Sequence, residues 1–139
     1  MPDANSDILR RLDSQELAVL ATIDVGQPYC SLIVFALNND ANQILFFTNR
    51  NSRKFINLQK NPKVGILIDD RPQPTQSFSN SIALSISGEA SETVGDDRQI
   101  LIGQFVTKHP GLKKFANLPD QALIKVIISE IRCNSFSGS

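Results

Sequence analysis

The sequence predicts a mainly β fold, a six-stranded antiparallel barrel with a few helices, and three observations support this prediction. The chain of 139 residues is long enough for one domain with a hydrophobic core, residues 1–139, and too short for two. Six apolar segments have the length of strands, and short polar turns join the first three, which favours an antiparallel meander over βαβ units. The helices between them are too few to cover two faces, so we expect the sheet to close and lose its edges.

The first half of the chain predicts one helix and the meander. A short amphipathic helix is expected at about residues 6–13, with Ile8, Leu9 and Leu12 on one face. Gly26 marks a tight turn between the first two strands. The apolar segments place the first three strands at 17–23, 28–37 and 43–47.

The second half continues with strands and helices in alternation. Ser52 is a good N-cap for a helix over residues 55–60, and Asn61-Pro62 ends that helix. Gly88 predicts a β-bulge, and the proline-rich and polar residues 71–80 predict a long loop. The remaining strands are predicted at 63–69, 81–87 and 123–128.

A second longer helix is predicted from Asp96 to about Lys108, followed by His109-Pro110. Acidic residues at its start and basic residues at its end complement the helix dipole, and His109 is expected to cap its C-terminus. Ile100, Leu101 and Phe105 form its predicted buried stripe.

The overall charge argues against bulk polyanionic partners. Lys and Arg number 14, as do Asp and Glu, so no general attraction toward nucleic acid or an anionic membrane is expected. The amino terminus lacks the basic and apolar regions of a secretory signal, and no apolar stretch reaches the length of a membrane span. We therefore expect a cytoplasmic protein that acts without nucleic acid and without a membrane.

The two cysteines and the single histidine do not suggest a metal site. Cys30 and Cys133 stand in strand segments with no Cys-x-x-Cys spacing, and His109 lies elsewhere. We interpret both thiols as reduced and buried in or near the core.

The start of the helix at 55–60 is the most informative feature, because its charges are of the wrong sign. Arg53 and Lys54 fall in the first turn and Arg50 lies just upstream, where the helix dipole is positive. A bound phosphate would compensate these cations and would also accept hydrogen bonds from the first-turn amides and from the hydroxyls of Ser52 and Thr48. The residues alone leave a second interpretation open, a solvated basic turn.

Several motifs in the same region resemble one known family. The segments Ala21-Thr22-Ile23-Asp24, Gly26-Gln27-Pro28-Tyr29 and Phe46-Phe47-Thr48-Asn49, with Ser52-Arg53-Lys54 and Asn61-Pro62, are similar to the pyridoxamine 5'-phosphate oxidase-like family of flavin-binding split barrels. The resemblance is strongest from Leu17 to Asp69. It makes the expected fold an FMN-binding split β-barrel.

The resemblance implies a homodimer that binds two FMN molecules in clefts at the subunit interface. By position, Arg53 and Lys54 would hold the FMN phosphate. Phe47 and Thr48 would contact the phosphate or the ribityl chain. The second strand would line the isoalloxazine, largely through backbone groups, at Ser31, Leu32, Ile33 and Val34.

The sequence also departs from the oxidases of this family. Ser31 stands where they have an arginine, and the chain contains no tryptophan, whereas the oxidases continue into a tryptophan- and arginine-rich segment. We therefore do not expect pyridoxal phosphate synthesis. The chain is more similar to short members of the family, some of which bind a deazaflavin or haem instead of FMN.

The residues show no acid–base pair, and a flavin enzyme does not require one because the cofactor carries the redox chemistry. The first hypothesis is therefore an FMN-dependent oxidoreductase acting on an unidentified small substrate with an electron donor. The second is a non-enzymatic carrier of flavin, deazaflavin or haem. A third, a single-stranded nucleic acid binder with an aromatic pair near basic residues, is disfavoured by the zero net charge.

Overall fold

The computed structural model describes residues 4–70 and 81–135, and in these residues six strands close into an antiparallel barrel. The order around the barrel is β1-β2-β3-β6-β5-β4. The predicted six-stranded antiparallel barrel is confirmed. The strands are β1 (Leu17–Asp24), β2 (Gln27–Leu37), β3 (Gln43–Asn49), β4 (Lys63–Asp69), β5 (Ile82–Glu92) and β6 (Gln121–Ser135).

Four α-helices accompany the barrel in the described residues. The first begins at Ala4 rather than at residue 6 and ends one residue earlier than predicted. The helices are α1 (Ala4–Leu12), α2 (Arg53–Lys60), α3 (Gly95–Lys108) and α4 (Lys113–Ala116), with a short 3₁₀ turn at Pro110–Leu112 before α4. The predicted loop at 71–80 lies outside the described residues, and within them no helix is long and apolar enough to cross a membrane.

The main core fills the barrel, because side chains on each strand alternate between its inside and its outside. Phe35 and Phe46 are its largest fully buried members. α1 and α2 pack apolar residues against the same core, and α2 is also fixed by a buried hydrogen bond, 3.0 Å long, from Asn57 Nδ2 to Thr22 Oγ1.

A second, smaller core lies outside the barrel, under α3. Leu101 and Phe105 are buried there as predicted, against Ala36, Leu45 and Leu123 of the strands. The predicted burial of Ile100 is wrong, since this side chain is 61% exposed and its neighbour Ile102 packs against the cluster instead. The helix is therefore rotated relative to the expected stripe, so that Ile102 and not Ile100 faces the barrel.

Two glycine predictions are confirmed. Val25 and Gly26 both have positive φ, 49° and 82°, as in a type I′ hairpin turn between β1 and β2. The register of β5 and β6 shifts between Ser87 and Gly88, which is the expected bulge. A Cβ at Gly88 would lie only 2.5 Å from the Ile127 carbonyl oxygen, so no larger residue fits there without a backbone shift.

The predicted burial of the two cysteines is wrong. Cys30 and Cys133 are both free and both exposed. Cys30 lies opposite Ala21 on the outer face of β2, a position that the apolar character of the strand did not reveal. A disulfide between the two strands is not accessible, because β2 and β6 are not neighbours in the barrel.

Candidate functional site

The pairing between β2 and β3 in the closed barrel is short. These strands pair at only three positions in the described residues, where Phe35, Ala36 and Leu37 face Phe46, Leu45 and Ile44. Over Gln27–Val34, β2 pairs with β1 alone, so one edge of its backbone has no strand partner. An unpaired strand edge presents N–H and C=O groups that can bind a ligand.

A cleft of about 250 Å³ lies beside this open edge. Lys54 is its one ionisable side chain among the described residues, and the other lining residues are apolar. The three phenylalanines form a connected group, with Phe47 packed edge to face against Phe105 at 4.9 Å and against Phe115 at 6.1 Å between ring centroids. The lining consists of Leu32, Ile33, Val34, Phe47, Lys54, Phe105, Leu112 and Phe115.

The start of α2 opens at one end of the cleft. Ser52 is the N-cap, and its Oγ accepts a hydrogen bond from the Phe55 amide at 3.2 Å. The buried Thr48 hydroxyl lies 2.7 Å from the same oxygen. The amides of Arg53 and Lys54 precede the first intrahelical hydrogen bond, so they have no acceptor within the helix. The predicted cap is confirmed, and two hydroxyls and two amide donors come together there.

The structure sorts the three predicted cations into different environments. Lys54 lines the cleft, and among the described residues no acceptor lies within bonding distance of its ammonium group. Arg53 is more exposed, and its Nη1 forms an ion pair with Asp24 Oδ2 at 2.7 Å. Arg50 donates to Glu92 Oε2 at 2.5 Å and to the Pro119 carbonyl at 2.7 Å. Arg50 therefore joins the turn after β3 to β5 and to the loop before β6, and we leave it out of the candidate anion site.

The four predicted residues of β2 do not share one face. Leu32 and Val34 are exposed and line the cleft with their side chains. Ile33 belongs to the main core, so it presents mainly its backbone to the cleft. Ser31 pairs with the core residue Leu20, and its Oγ is buried with no hydrogen-bond partner among the described residues.

The aromatic pair Phe46 and Phe47 divides between the two faces of β3. Phe46 is fully buried in the barrel, whereas Phe47 lines the cleft. Three lining residues of the cleft were not predicted from the sequence: Phe105 was expected only in a buried stripe, and Leu112 and Phe115 were not expected in the site. No local signal distinguishes these three residues, because their role depends on how α3 and the following turn pack against β3.

Two other titratable residues, His109 and Asp70, form hydrogen bonds with the backbone of the barrel strands. The His109 backbone is at the C-cap of α3 as predicted, but its ring Nε2 lies 2.7 Å from the Phe35 carbonyl oxygen on β2. Asp70 accepts a hydrogen bond from the Ile82 amide at 2.6 Å. No group of His, Cys, Asp or Glu in the described residues is arranged to hold a metal ion.

A larger depression of about 600 Å³ lies on another side of the barrel, across β1, β4, β5 and β6 and the start of β2. It includes none of the ten predicted site residues. Its charged lining residues, Lys63 and Glu89, face each other as partners in the β4–β5 ladder. We therefore keep the cleft between β2 and β3 as the candidate site.

The family model for pyridoxamine 5'-phosphate oxidase matches residues 4–134, and the chain belongs to this family. The family resemblance inferred from the motifs is thereby confirmed. No curated protein matches the sequence significantly.

Solved structures with the same fold have different ligands in their descriptions. A haem-binding protein from Mycobacterium smegmatis superposes with a TM-score of 0.83 at 17% identity, over 99% of this chain and 55% of its own. HutZ, a haem storage protein from Vibrio cholerae, gives 0.75 at 20% identity, over 93% and 92%. An FAD-binding protein from Mesorhizobium loti gives 0.74 at 15% identity, over 91% and 89%. At these identities the likeness shows the fold alone.

Proposed function

We propose that this protein binds FMN in the cleft between β2 and β3 and acts as a homodimeric flavin-dependent oxidoreductase on a small substrate. The observation that carries the proposal is the start of α2. A capped helix start, whose first amides have no acceptor within the helix, and a lysine with no partner among the described residues lie beside an apolar, aromatic cleft. An FMN molecule combines the two matching parts, an anionic phosphate and a flat aromatic ring system.

The residues present fit this cofactor. Lys54 and the amides of the first turn would hold the phosphate, and the Thr48 and Ser52 hydroxyls lie beside them. Phe47, Leu32 and the open backbone edge of β2 would bind the ring. The backbone of Ser31 lies on this edge, whereas its Oγ is on the core face of β2 and outside the cleft lining. When bound, the flavin supplies hydride and electron transfer, and the protein orients the ring and excludes water.

A second copy of the chain would complete the site. The cleft holds about 250 Å³, below the range of roughly 300–1,000 Å³ that buries small ligands, so one chain would cover the flavin incompletely. Next to the cleft, the outer surface of β2, β1 and β4 carries a row in which Leu32, Val19 and Leu67 are direct ladder neighbours. Leu32 is 60% exposed and Leu67 is 42% exposed. An apolar sheet face of this kind supports a dimer interface.

The first test is an absorbance spectrum of the purified protein, followed by titration with FMN. We expect flavin bands as isolated or after FMN is added. Changing Arg53 and Lys54 together to Ala should weaken FMN binding by several kcal/mol, since charge-assisted hydrogen bonds contribute about 1.5–3 kcal/mol each. The matched control changes Arg10 and Arg11, an adjacent basic pair in the last turn of α1, where cations suit the helix dipole. Equal FMN affinity in both double variants would refute the site.

The dimer is tested by Leu67→Glu, which places a charge in the apolar row but outside the cleft. We expect a monomer in sedimentation velocity and a loss of FMN affinity. The control is Leu118→Glu, at a leucine that is 49% exposed and lies outside that row. A Leu67→Glu protein that stays dimeric would place the interface elsewhere.

The cleft lining also supports a second candidate, a non-enzymatic carrier of a flavin, a deazaflavin or haem. The described lining residues include no carboxylate, histidine or thiol that could move a proton, and Lys54 is assigned to the phosphate. Stopped-flow reduction of the bound flavin with NADH and NADPH separates the two candidates. An oxidoreductase gives reduction followed by turnover with an acceptor, whereas a carrier gives neither.

A further inference from the structure

The geometry points to Asp24 as the residue that sets how much negative charge the site at the start of α2 accepts. This inference rests on the proposed function for the identity of the ligand. Asp24 is the last residue of β1 and begins the type I′ turn into β2. Its carboxylate reaches Arg53, the first residue of α2, at 2.7 Å. The family resemblance implies no role for this carboxylate.

The charges around the start of α2 are nearly balanced. Arg50 is paired with Glu92 and Arg53 with Asp24, whereas Lys54 has no partner among the described residues. Three cations against two carboxylates leave one net positive charge. A phosphodiester carries a single negative charge and would match this balance, whereas a phosphomonoester such as that of FMN carries about 1.5–2 negative charges at neutral pH.

Asp24 is the carboxylate that would repel the second negative charge of a dianionic phosphate. A phosphate bound by Arg53 would contact the same guanidinium group as the Asp24 carboxylate. The two negative groups would therefore be separated only by that guanidinium. Like charges at this separation repel, and the repulsion is reduced but not removed at a partly exposed position. Asp24 therefore weakens the preference for a dianionic phosphate and lets the site also accept a monoanionic phosphodiester.

Small anions test this inference without any flavin. Inorganic phosphate at pH 8, mostly a dianion, and dimethyl phosphate, a monoanion, are titrated against ¹⁵N-labelled protein while the amide signals of Arg53 and Lys54 are followed. Asp24→Asn should tighten the binding of phosphate by about three- to tenfold and that of dimethyl phosphate by clearly less. The matched control is Asp97→Asn, which removes a carboxylate that pairs with Lys125 on β6. It should change neither constant.

The flavin arm repeats the comparison with FMN and riboflavin, which differ by the phosphate alone. Asp24→Asn should tighten FMN by about three- to tenfold and leave riboflavin within about twofold. An unchanged ratio of the two anion constants, weaker phosphate binding in Asp24→Asn, or no anion binding at Arg53 and Lys54 would overturn the inference. If the wild-type protein binds anions there but binds no flavin, the proposed function fails while the role of Asp24 stands.

Discussion

The starts of α2 and α3 are opposite in charge, and this contrast is the basis for proposing a ligand at one of them. α3 has Asp96 and Asp97 in its first turn and Lys108 in its last, so its own charges complement the helix dipole. α2 has no acid in its first turn and begins with Arg53 and Lys54. Each such cation costs about 0.3–1 kcal/mol unless an anion is present. The charges of α3 complement its dipole within the chain, whereas the start of α2 lacks a complementary anion of its own in the first turn, which the phosphate of the proposed FMN would supply.

Removing a packing residue from α3 should have the largest effect on stability, because this helix holds its position by burial. Leu101→Ala should lower the free energy of unfolding by about 2–5 kcal/mol, the usual cost of a buried leucine. FMN affinity should not change, since Leu101 does not line the cleft. The adjacent Ile100→Ala, at a side chain that is 61% exposed, is the control and should stay within about 0.5 kcal/mol in urea unfolding. Equal losses in the two variants would contradict the observed orientation of α3.

Replacing Lys54, which has no partner among the described residues, should lower the affinity for FMN and raise the free energy of unfolding of the ligand-free protein. Lys54→Gln should weaken FMN binding by about 1.5–3 kcal/mol, the value of one charge-assisted hydrogen bond. The free energy of unfolding without ligand should rise by about 0.3–1 kcal/mol, because a cation leaves the positive end of the dipole. Lys60→Gln, in the last turn of the same helix, is the control: it should lose a little stability and keep its FMN affinity. A Lys54→Gln protein less stable than wild type would show that this lysine has a structural role.

The mirror experiment on α3 should affect stability alone. Asp96→Asn and Asp97→Asn each remove an anion from the positive end of the helix, so each should cost about 0.3–1 kcal/mol of unfolding free energy. Both variants should bind FMN as the wild type does. A clear loss of FMN affinity in either one would mean that the two helix starts are not separate in function.

The smallest expected effect concerns Lys108 at the end of α3. Its ammonium group donates to Asp13 Oδ1 at 2.9 Å and lies 3.8 Å from the centroid of the Phe35 ring. Burial lowers the pKa of Lys108 below its ordinary value of 10.5, and the hydrogen bond and charge of Asp13 oppose this shift only in part. Above the folded-state pKa and up to about 10.5, the unfolded chain therefore binds more protons than the folded chain, and stability from this group rises with pH.

Urea unfolding at alkaline pH, compared between wild type and Lys108→Met, isolates this contribution. The stability of the wild type relative to the variant should increase as pH rises toward 10.5, the ordinary value. A relative decrease would mean that Asp13 stabilises the ammonium form more than burial destabilises it.

The barrel and the position of α2 were predictable because they depend on local pattern. Apolar segments, the turn at Gly26 and the cap at Ser52 each act over a few residues, and the structure confirms them. The bulge at Gly88 is local in the same sense. The family resemblance then specified the split form of the barrel.

The environment of each site residue was not predictable, because it depends on partners distant in sequence. Arg53 and Lys54 are neighbours in the chain, yet Arg53 pairs with Asp24 of β1 while Lys54 faces the cleft. Arg50 is held by Glu92 of β5. Cys30 was misjudged for a related reason: an apolar strand does not show which of two adjacent residues faces the core until its register with β1 is known.

The most direct test of the anion site compares the dissociation constants of FMN and riboflavin for the wild-type protein at several salt concentrations. The two ligands share the ring and the ribityl chain, so their difference measures the contribution of the phosphate. We predict that FMN binds about 10–100-fold more tightly than riboflavin at low salt, and that this difference in affinity becomes smaller as salt screens the charges. Equal affinity for the two flavins would contradict it, because the start of α2 would then make no contact with a phosphate.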